Sequence, residues 1–281
     1  MIAYLRTKKL FKYAWLECKI PVIVNGCASI DVRINTVIKD EMSKTIFIFI
    51  KSFNRKEYAE DFLDGKLFFN RLSYFKGLED EGSATRGDKY ETVVDWRQPE
   101  KVKLTISFNG NSFDIKDLAA PFYVQATGLN DMHVFCLYAA HSGNLVDIEV
   151  DGSEIIKGKL HIPTELSRFG EHAVIITQPV SFIERVSAAI KMKRHRGSAG
   201  LVEYYDPETF SGEFSNRDAL FRKRKEFSYQ SEYRFAFNTD TTGSESVTLD
   251  VGSLRDIAQT LLIEDIYGGT KLELNRIVKS C

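Results

Sequence analysis

Three stretches of the chain carry residue types at spacings that could do chemistry. The first is Lys225-Glu-Phe-Ser-Tyr-Gln-Ser-Glu-Tyr-Arg-Phe-Ala-Phe237. Residues 229–237 alternate as a strand does. Gln230, Glu232 and Arg234 then share one face, and Tyr229, Tyr233, Phe235 and Phe237 share the other. A strand carboxylate flanked by an amide and a guanidinium suits a polar ligand: the carboxylate can stabilise developing positive charge and the amide can orient a nucleophile. The same pattern also fits a solvated strand face with a Glu–Arg pair. The second stretch joins Lys51, at the end of an apolar run, to Tyr74-Phe75 and to Arg86-Gly-Asp-Lys-Tyr-Glu91. Lys51 can meet a phosphate, Tyr74 can stack on a planar ring, and Arg86 can form a bidentate contact with a phosphate or carboxylate. A strand-end cation beside core aromatics is the alternative. The third is Asp131-Met-His-Val-Phe-Cys-Leu-Tyr138, an apolar central strand with His133, Cys136 and Tyr138 as polar handles. His133 reads as a general base or a satisfied core histidine. Cys136 has no positioned base in view and reads as buried.

Two basic groups stand apart from these. Lys191, Lys193, Arg194 and Arg196 form one. Arg217, Arg222, Lys223, Arg224 and Lys225 form another, which leads straight into the Gln-x-Glu segment. Such groups suit phosphate contacts, and equally a solvated surface. Phosphate-binding and hydrolase signatures are missing: there is no GxxxxGK[ST], no GxGxxG after a strand, no GxSxG and no HExxH. Kinase, P-loop, Rossmann and zincin readings fall with them. No CxxC and no Cys/His cluster has zinc spacing, so no metal is expected.

Several elements must position these residues. The strongest strand signal is Thr45-Ile-Phe-Ile-Phe-Ile-Lys51. A short helix is expected over 55–63, stopped by Gly65, with a second strand at 66–69. Residues 76–90 read as an exposed loop, rich in Gly and acidic at Glu79-Asp80-Glu81. Further strands are expected at 101–108, 121–126, 132–139, 145–150, 173–178 and 247–249. Residues 180–192 fit a strand or a helix, and helices are expected at 217–226 and 254–263. The expected class is α+β and strand-rich, without regular βαβ repetition. Residues 1–44 form an N-terminal extension of unclear role, and 45–281 the main domain.

The 281 residues include 38 basic and 39 acidic side chains, five His, 20 Phe and 12 Tyr. The near-zero net charge excludes a globally basic nucleic-acid coat, and the apolar content excludes a disordered tail. Four cysteines without disulfide-like spacing fit a reducing compartment. The longest clean apolar run, Ile46–Ile50, is far too short for a membrane span, and with Cys18, Lys19, Pro21 and Asn25 interrupting any apolar stretch no secretory signal is expected. The chain therefore reads as cytoplasmic, with no membrane partner.

Lys51 ending an apolar strand, Gly65-x-Leu-Phe-Phe69, Arg86-Gly-Asp-x-Tyr-Glu91, Val134–Tyr138 and Phe227-Ser-Tyr-Gln-Ser-Glu-Tyr-Arg234 together resemble a group of bacterial domains with a Tyr-Gln/Glu-x-Glu-Tyr-Arg signature. The Gln-x-Glu element resembles the catalytic strand of ADP-ribosyltransferases, including toxins of toxin–antitoxin and phage-defence systems. The resemblance covers residues 45–270. It departs from the arginine-type pattern in having Lys51 rather than Arg on the first strand. It also has Phe135-Cys-Leu137 where a Ser-Thr-Ser triplet would stand.

The resemblance implies a split-sheet cleft with peripheral helices, holding NAD as a substrate and no metal. Glu232 and Gln230 would be catalytic. Glu232 would hold a ribose hydroxyl and stabilise the oxocarbenium-like transition state as nicotinamide leaves, and Gln230 would orient the acceptor. Lys51 or Arg86 would meet the pyrophosphate, Tyr74 or Tyr229 would stack on nicotinamide, and Tyr138 and Arg234 complete the cofactor-binding set. The basic groups beside this segment point to a nucleic-acid acceptor met by Lys193, Arg194, Arg196, Arg222 and Arg224, with RNA favoured over duplex DNA and a protein acceptor left open. The acidic loop could face an inhibitor protein or antitoxin. The alternatives are a non-catalytic nucleic-acid-binding module, whose binding would fall steeply with salt, and an NAD glycohydrolase.

Overall fold

The computed structural model describes residues 44–80, 87–150, 156–267 and 270–274. The expected N-terminal extension and Arg86 lie outside them. The fold is strand-rich α+β and centres on one eight-stranded sheet. Its strands in chain order are β1 (Ile46–Phe53), β2 (Lys66–Arg71), β3 (His133–His141), β4 (His172–Ile176), β5 (Arg196–Leu201), β6 (Glu232–Asn238), β7 (Val247–Asp250) and β8 (Ala258–Leu262). They run β5-β6-β3-β1-β4-β8, every pairing is antiparallel, and β2 joins β3 with β7 on its other edge.

The sheet forks at β3. One edge of β3 pairs with β6 from His133 to Tyr138. On the other edge, Tyr138–His141 pairs with β1, and His133 and Val134 pair with β2. Among the described residues, Phe135, Cys136 and Leu137 have no partner strand on that edge, and β1 and β2 splay apart there. Buried backbone polar groups need partners, and a fork leaves some without a ladder. Lys51 supplies one by donating from Nζ to the Cys136 carbonyl at 2.7 Å.

The apolar patterns explain why these segments are strands. Phe49, Phe69, Phe135, Phe235 and Phe237 all point to one side of the sheet, where helix α1 (Lys56–Leu63) brings Phe62 and helix α3 (Pro179–Met192) brings Phe182 and Val186. Each such buried ring contributes about 2–3 kcal/mol of transfer free energy. A second cluster around Ile50, Tyr138, Ala140, Leu166 and Ile263 fills the opposite side. After α1 the chain turns at Gly65, with φ +92°. A Cβ there would come within 2.1 Å of the Gly252 carbonyl oxygen, so the turn takes only glycine.

Several expected elements are replaced. Residues 76–80 of the expected loop belong instead to helix α2 (Leu72–Asp80), and Asp88 and Glu91 are buried. The 180–192 segment is helical. Residues 217–226 are not one helix: a single turn at Asn216–Ala219 is followed by a short strand, Arg222–Arg224, parallel to Glu203–Tyr205. Residues 254–263 are not a helix either, since β8 occupies Ala258–Leu262 and pairs with β4. Leu254, Ile257, Ala258 and Leu261 imitate a helical period of i, i+3, i+4, i+7, but the open edge of β4 offers a full ladder and prevails over it. Among the described residues, no helix is long and apolar enough to cross a membrane.

Candidate functional site

The fork opens into a cleft of about 620 Å³. Lys51, Phe53 and Asn54 of β1 and its end line one wall. Phe68 and Asn70 of β2, with Tyr74 and Phe75 of α2, line the other. Val134–Tyr138 forms the floor. At one side stands a buried polar group made of Glu91, Lys223, Gln230, Glu232 and Arg234.

Arg234 organises this group. It sits on β6 opposite Cys136 and is 1% exposed. Its Nε donates to Glu232 Oε1 at 2.7 Å. Its two Nη groups grip both oxygens of Glu91, at 2.8 and 3.0 Å, and Nη1 also donates to the Leu220 carbonyl. Lys223 Nζ donates to Glu232 Oε2 at 3.1 Å and to Gln230 Oε1 at 2.9 Å, with Glu91 Oε1 at 3.5 Å. Glu232 is therefore held from both sides by cations. Its backbone N–H donates to the Tyr204 hydroxyl at 2.9 Å and its carbonyl accepts from Val202 N–H at 2.8 Å. Burial pushes the Glu232 carboxyl up, but the Arg234 guanidinium and Lys223 ammonium outweigh burial and hold it well below the usual carboxylate range. Burial likewise opposes the Lys223 charge, and the Glu232 and Glu91 carboxylates outweigh it and raise its pKa. Glu232, Lys223 and Arg234 are each held in the charged form by this network.

A carboxylate accepts about four hydrogen bonds. Arg234, Lys223 and the Cys136 thiol donate to Glu232, which leaves room for about one hydroxyl from a ligand. Burial, with the Glu232 charge next in order, pushes the Cys136 thiol up to about 12, so it is no nucleophile at neutral pH.

The expected site residues separate into those the cleft gathers and those it does not. Glu232, Gln230, Lys51, Tyr74, Tyr138 and Arg234 all line it. Gln230, however, is not on a strand. Residues 225–230 form a 3-10 turn, Ser231 takes a left-handed φ of +37°, and β6 begins at Glu232. Gln230 reaches the site through Lys223 instead. The polar face of β6 is buried, not solvated. Arg234 is spent on Glu91 and Glu232, so it positions the carboxylate and is not an outward phosphate ligand. The Tyr138 hydroxyl donates to the His161 carbonyl at 3.1 Å. Tyr229 lies on the 3-10 turn away from the cleft lining.

The expected nucleic-acid residues fall into two places. Arg222 pairs with Glu203, and Arg224 pairs with Asp88 and Glu226 while covering the Tyr90 ring at 4.3 Å. Lys193 and Arg194 follow α3. Arg196 opens β5 opposite Asn238, at the end of β6 remote from Glu232. Six residues of strand place that end about 20 Å from Glu232. His133 also lies off the cleft. It is buried, hydrogen-bonded through Nε2 to the Glu245 carbonyl and stacked on Phe237, and burial lowers its pKa.

Sequence reasoning missed two members of the site. Lys223 was hidden among like-charged neighbours, although the alternation of Arg222-Lys223-Arg224 turns the middle residue to the opposite face. Glu91 meets Arg234 across 143 positions, and no local pattern announces that contact. Among the described residues no group of acidic, His or Cys side chains could hold a metal ion. No family model, curated protein or solved structure matches the chain.

Proposed function

We propose that the protein is an NAD-dependent ADP-ribosyltransferase of the toxin or phage-defence kind, with the cleft at the sheet fork as its nucleotide site. The observation that carries this reading is Glu232: a permanently ionised carboxylate, fixed by buried cations, at the side of an open cleft walled by aromatic rings. Breaking the bond between nicotinamide and ribose develops positive charge on the sugar. A carboxylate that needs no reorganisation is the group that stabilises such charge. The remaining acceptor position on Glu232 suits one ribose hydroxyl. Lys51, on the facing wall, suits the pyrophosphate, and Tyr74 and Phe68 suit the planar ends of the dinucleotide.

A pure nucleic-acid-binding module has less support. Arg222 and Arg224 are committed to internal ion pairs, and Lys193, Arg194 and Arg196 stand away from the cleft. The test is incubation with NAD and total RNA or cell lysate, followed by mass spectrometry. An ADP-ribose adduct that requires Glu232 is expected. Free nicotinamide without any adduct makes the protein a glycohydrolase, and no NAD consumption overturns the assignment.

A further inference from the structure

Leu104–Phe108 and Asn111–Ile115 form a two-stranded antiparallel ribbon, joined by Asn109-Gly110 with φ of +49° and +78°. Positive φ at both loop residues is the tight hairpin turn that matches strand twist. The ribbon pairs with no other strand among the described residues, so both its edges are open there. Its two faces differ. One carries Thr105, Ser107, Ser112 and Asp114, and these satisfy each other: Thr105 Oγ1 donates to Asp114 Oδ1 at 2.8 Å, and the Ser107 and Ser112 hydroxyls meet at 2.7 Å. Lys103 adds an ion pair to Asp114 on the same face. The other face carries Leu104, Ile106, Phe108, Phe113 and Ile115, with Asn111 at the tip. Ile106, Phe108 and Phe113 are 48%, 57% and 50% exposed, and the two Phe rings stack on each other at 5.3 Å. None of the five apolar residues belongs to a core cluster of the described residues.

A two-stranded ribbon is marginal in water by itself and needs something against its apolar face. That face bears no charged side chain, so a copy of itself meets it without like-charge repulsion. Residues 99–117 hold three cations, Lys101, Lys103 and Lys116, and three anions, Glu100, Asp114 and Asp117. No excess charge therefore draws in a phosphate-bearing surface, whether lipid or nucleic acid. The exposed apolar area is on the order of 400 Å², the size that marks an interaction site on a monomer. Interfaces between like chains are about 65% apolar, so this core implies a footprint of about 600 Å² per copy and about 1,200 Å² in all, the lower end of specific interfaces.

We propose that this apolar face is a two-fold interface with a second copy of the chain, the two ribbons packing face to face as a four-stranded sandwich. Such a contact uses the same patch on both sides and closes at two copies. Packed sheets lie about 10 Å apart, a gap that Ile and Phe side chains from both ribbons fill. The ribbon takes no part in lining the cleft, so the interface is independent of the NAD reading.

The test is the mass of the full chain in solution, by light scattering after size exclusion across a micromolar concentration series, with thermal midpoints to show that each variant is folded. The unaltered chain is expected to be dimeric. Ile106→Lys and Phe113→Lys place a charge in the contact and should each weaken the dimer by at least about thirtyfold. Ser107→Lys adds the same charge one residue along, on the polar face, and should leave the dimer intact. Phe108→Ser removes apolar area without adding charge and replaces any lysine variant that does not fold. A monomeric parent overturns the proposal. So does a dimer that survives the folded apolar-face variants, and so does a dimer that Ser107→Lys dissociates equally. Assembly beyond two copies assigns the contact to the open ribbon edges and overturns the face-to-face packing.

Discussion

Glu232 is bound too tightly into its surroundings to be removed without consequence. Truncation to alanine leaves Arg234 and Lys223 as buried cations with one carboxylate between them, and breaking a buried ion pair costs about 3–5 kcal/mol. Glu232→Ala is therefore expected to lower the urea midpoint strongly. Glu232→Gln keeps the shape and one acceptor oxygen and is the better probe of chemistry. Chemical denaturation of both variants checks this, and equal stability of Glu232→Ala and the parent contradicts it. Asp88 offers a second residue-scale prediction. Burial, then the Glu91 charge, pushes its carboxyl up to about 6, above its value in the unfolded chain. The folded state therefore holds the proton more tightly. The associated stability is fully present below about pH 4 and is lost as pH rises through about 6, an effect on the order of 3 kcal/mol. Asp88→Asn keeps the acceptor that Tyr90 N–H uses. It should raise the thermal midpoint at pH 7.5 and change it little at pH 4, as measured by calorimetry at both values.

At the scale of elements, the fork in β3 is the feature that makes a site. Lys51 does two things there: it satisfies the Cys136 carbonyl, and its charge faces the cleft, over the Phe135 ring at 4.8 Å. Lys51→Met should cost about 1–2 kcal/mol through the unsatisfied carbonyl. It should also raise the KM for NAD by more than about tenfold through the lost charge, with a smaller effect on kcat. A KM within twofold of the parent would separate Lys51 from the nucleotide. The elements that sequence reveals are those whose pattern is local. The Ile46–Ile50 run, α1 with its Gly65 stop, and the alternation of Tyr233, Phe235 and Phe237 all appear in place. The fork itself does not, because it depends on β1 and β2 each choosing a different half of one edge of β3. The 3-10 turn before β6 is also hidden, since Gln230 and Glu232 satisfy a strand's alternation while the backbone turns at Ser231. The Gln230 and Glu232 side chains do meet at the cleft, for a reason their spacing does not show: Lys223 ties the two together.

For the molecule as a whole, the net charge of −1 conceals a segregation of cations by environment. Lys223 and Arg234 are buried with carboxylates, Arg222 is half-buried against Glu203, Arg224 bridges buried Asp88 and exposed Glu226, and the 193–196 group stands at the far end of β6. Neighbouring positions in sequence therefore do not make one electrostatic surface. Reversing the charges of Lys193 and Arg194 should change transfer to RNA less than Lys51→Met does. A larger loss from the double reversal would place the acceptor along β5 instead. The account as a whole depends on the pinned carboxylate acting on NAD, and nicotinamide release by the purified chain, measured beside Glu232→Gln at matched folded fraction, tests that most directly. The account predicts release by the parent and a drop of at least about a thousandfold in the variant, the size expected for losing a preorganised charge at the reacting centre. Release at the parental rate by folded Glu232→Gln would contradict it.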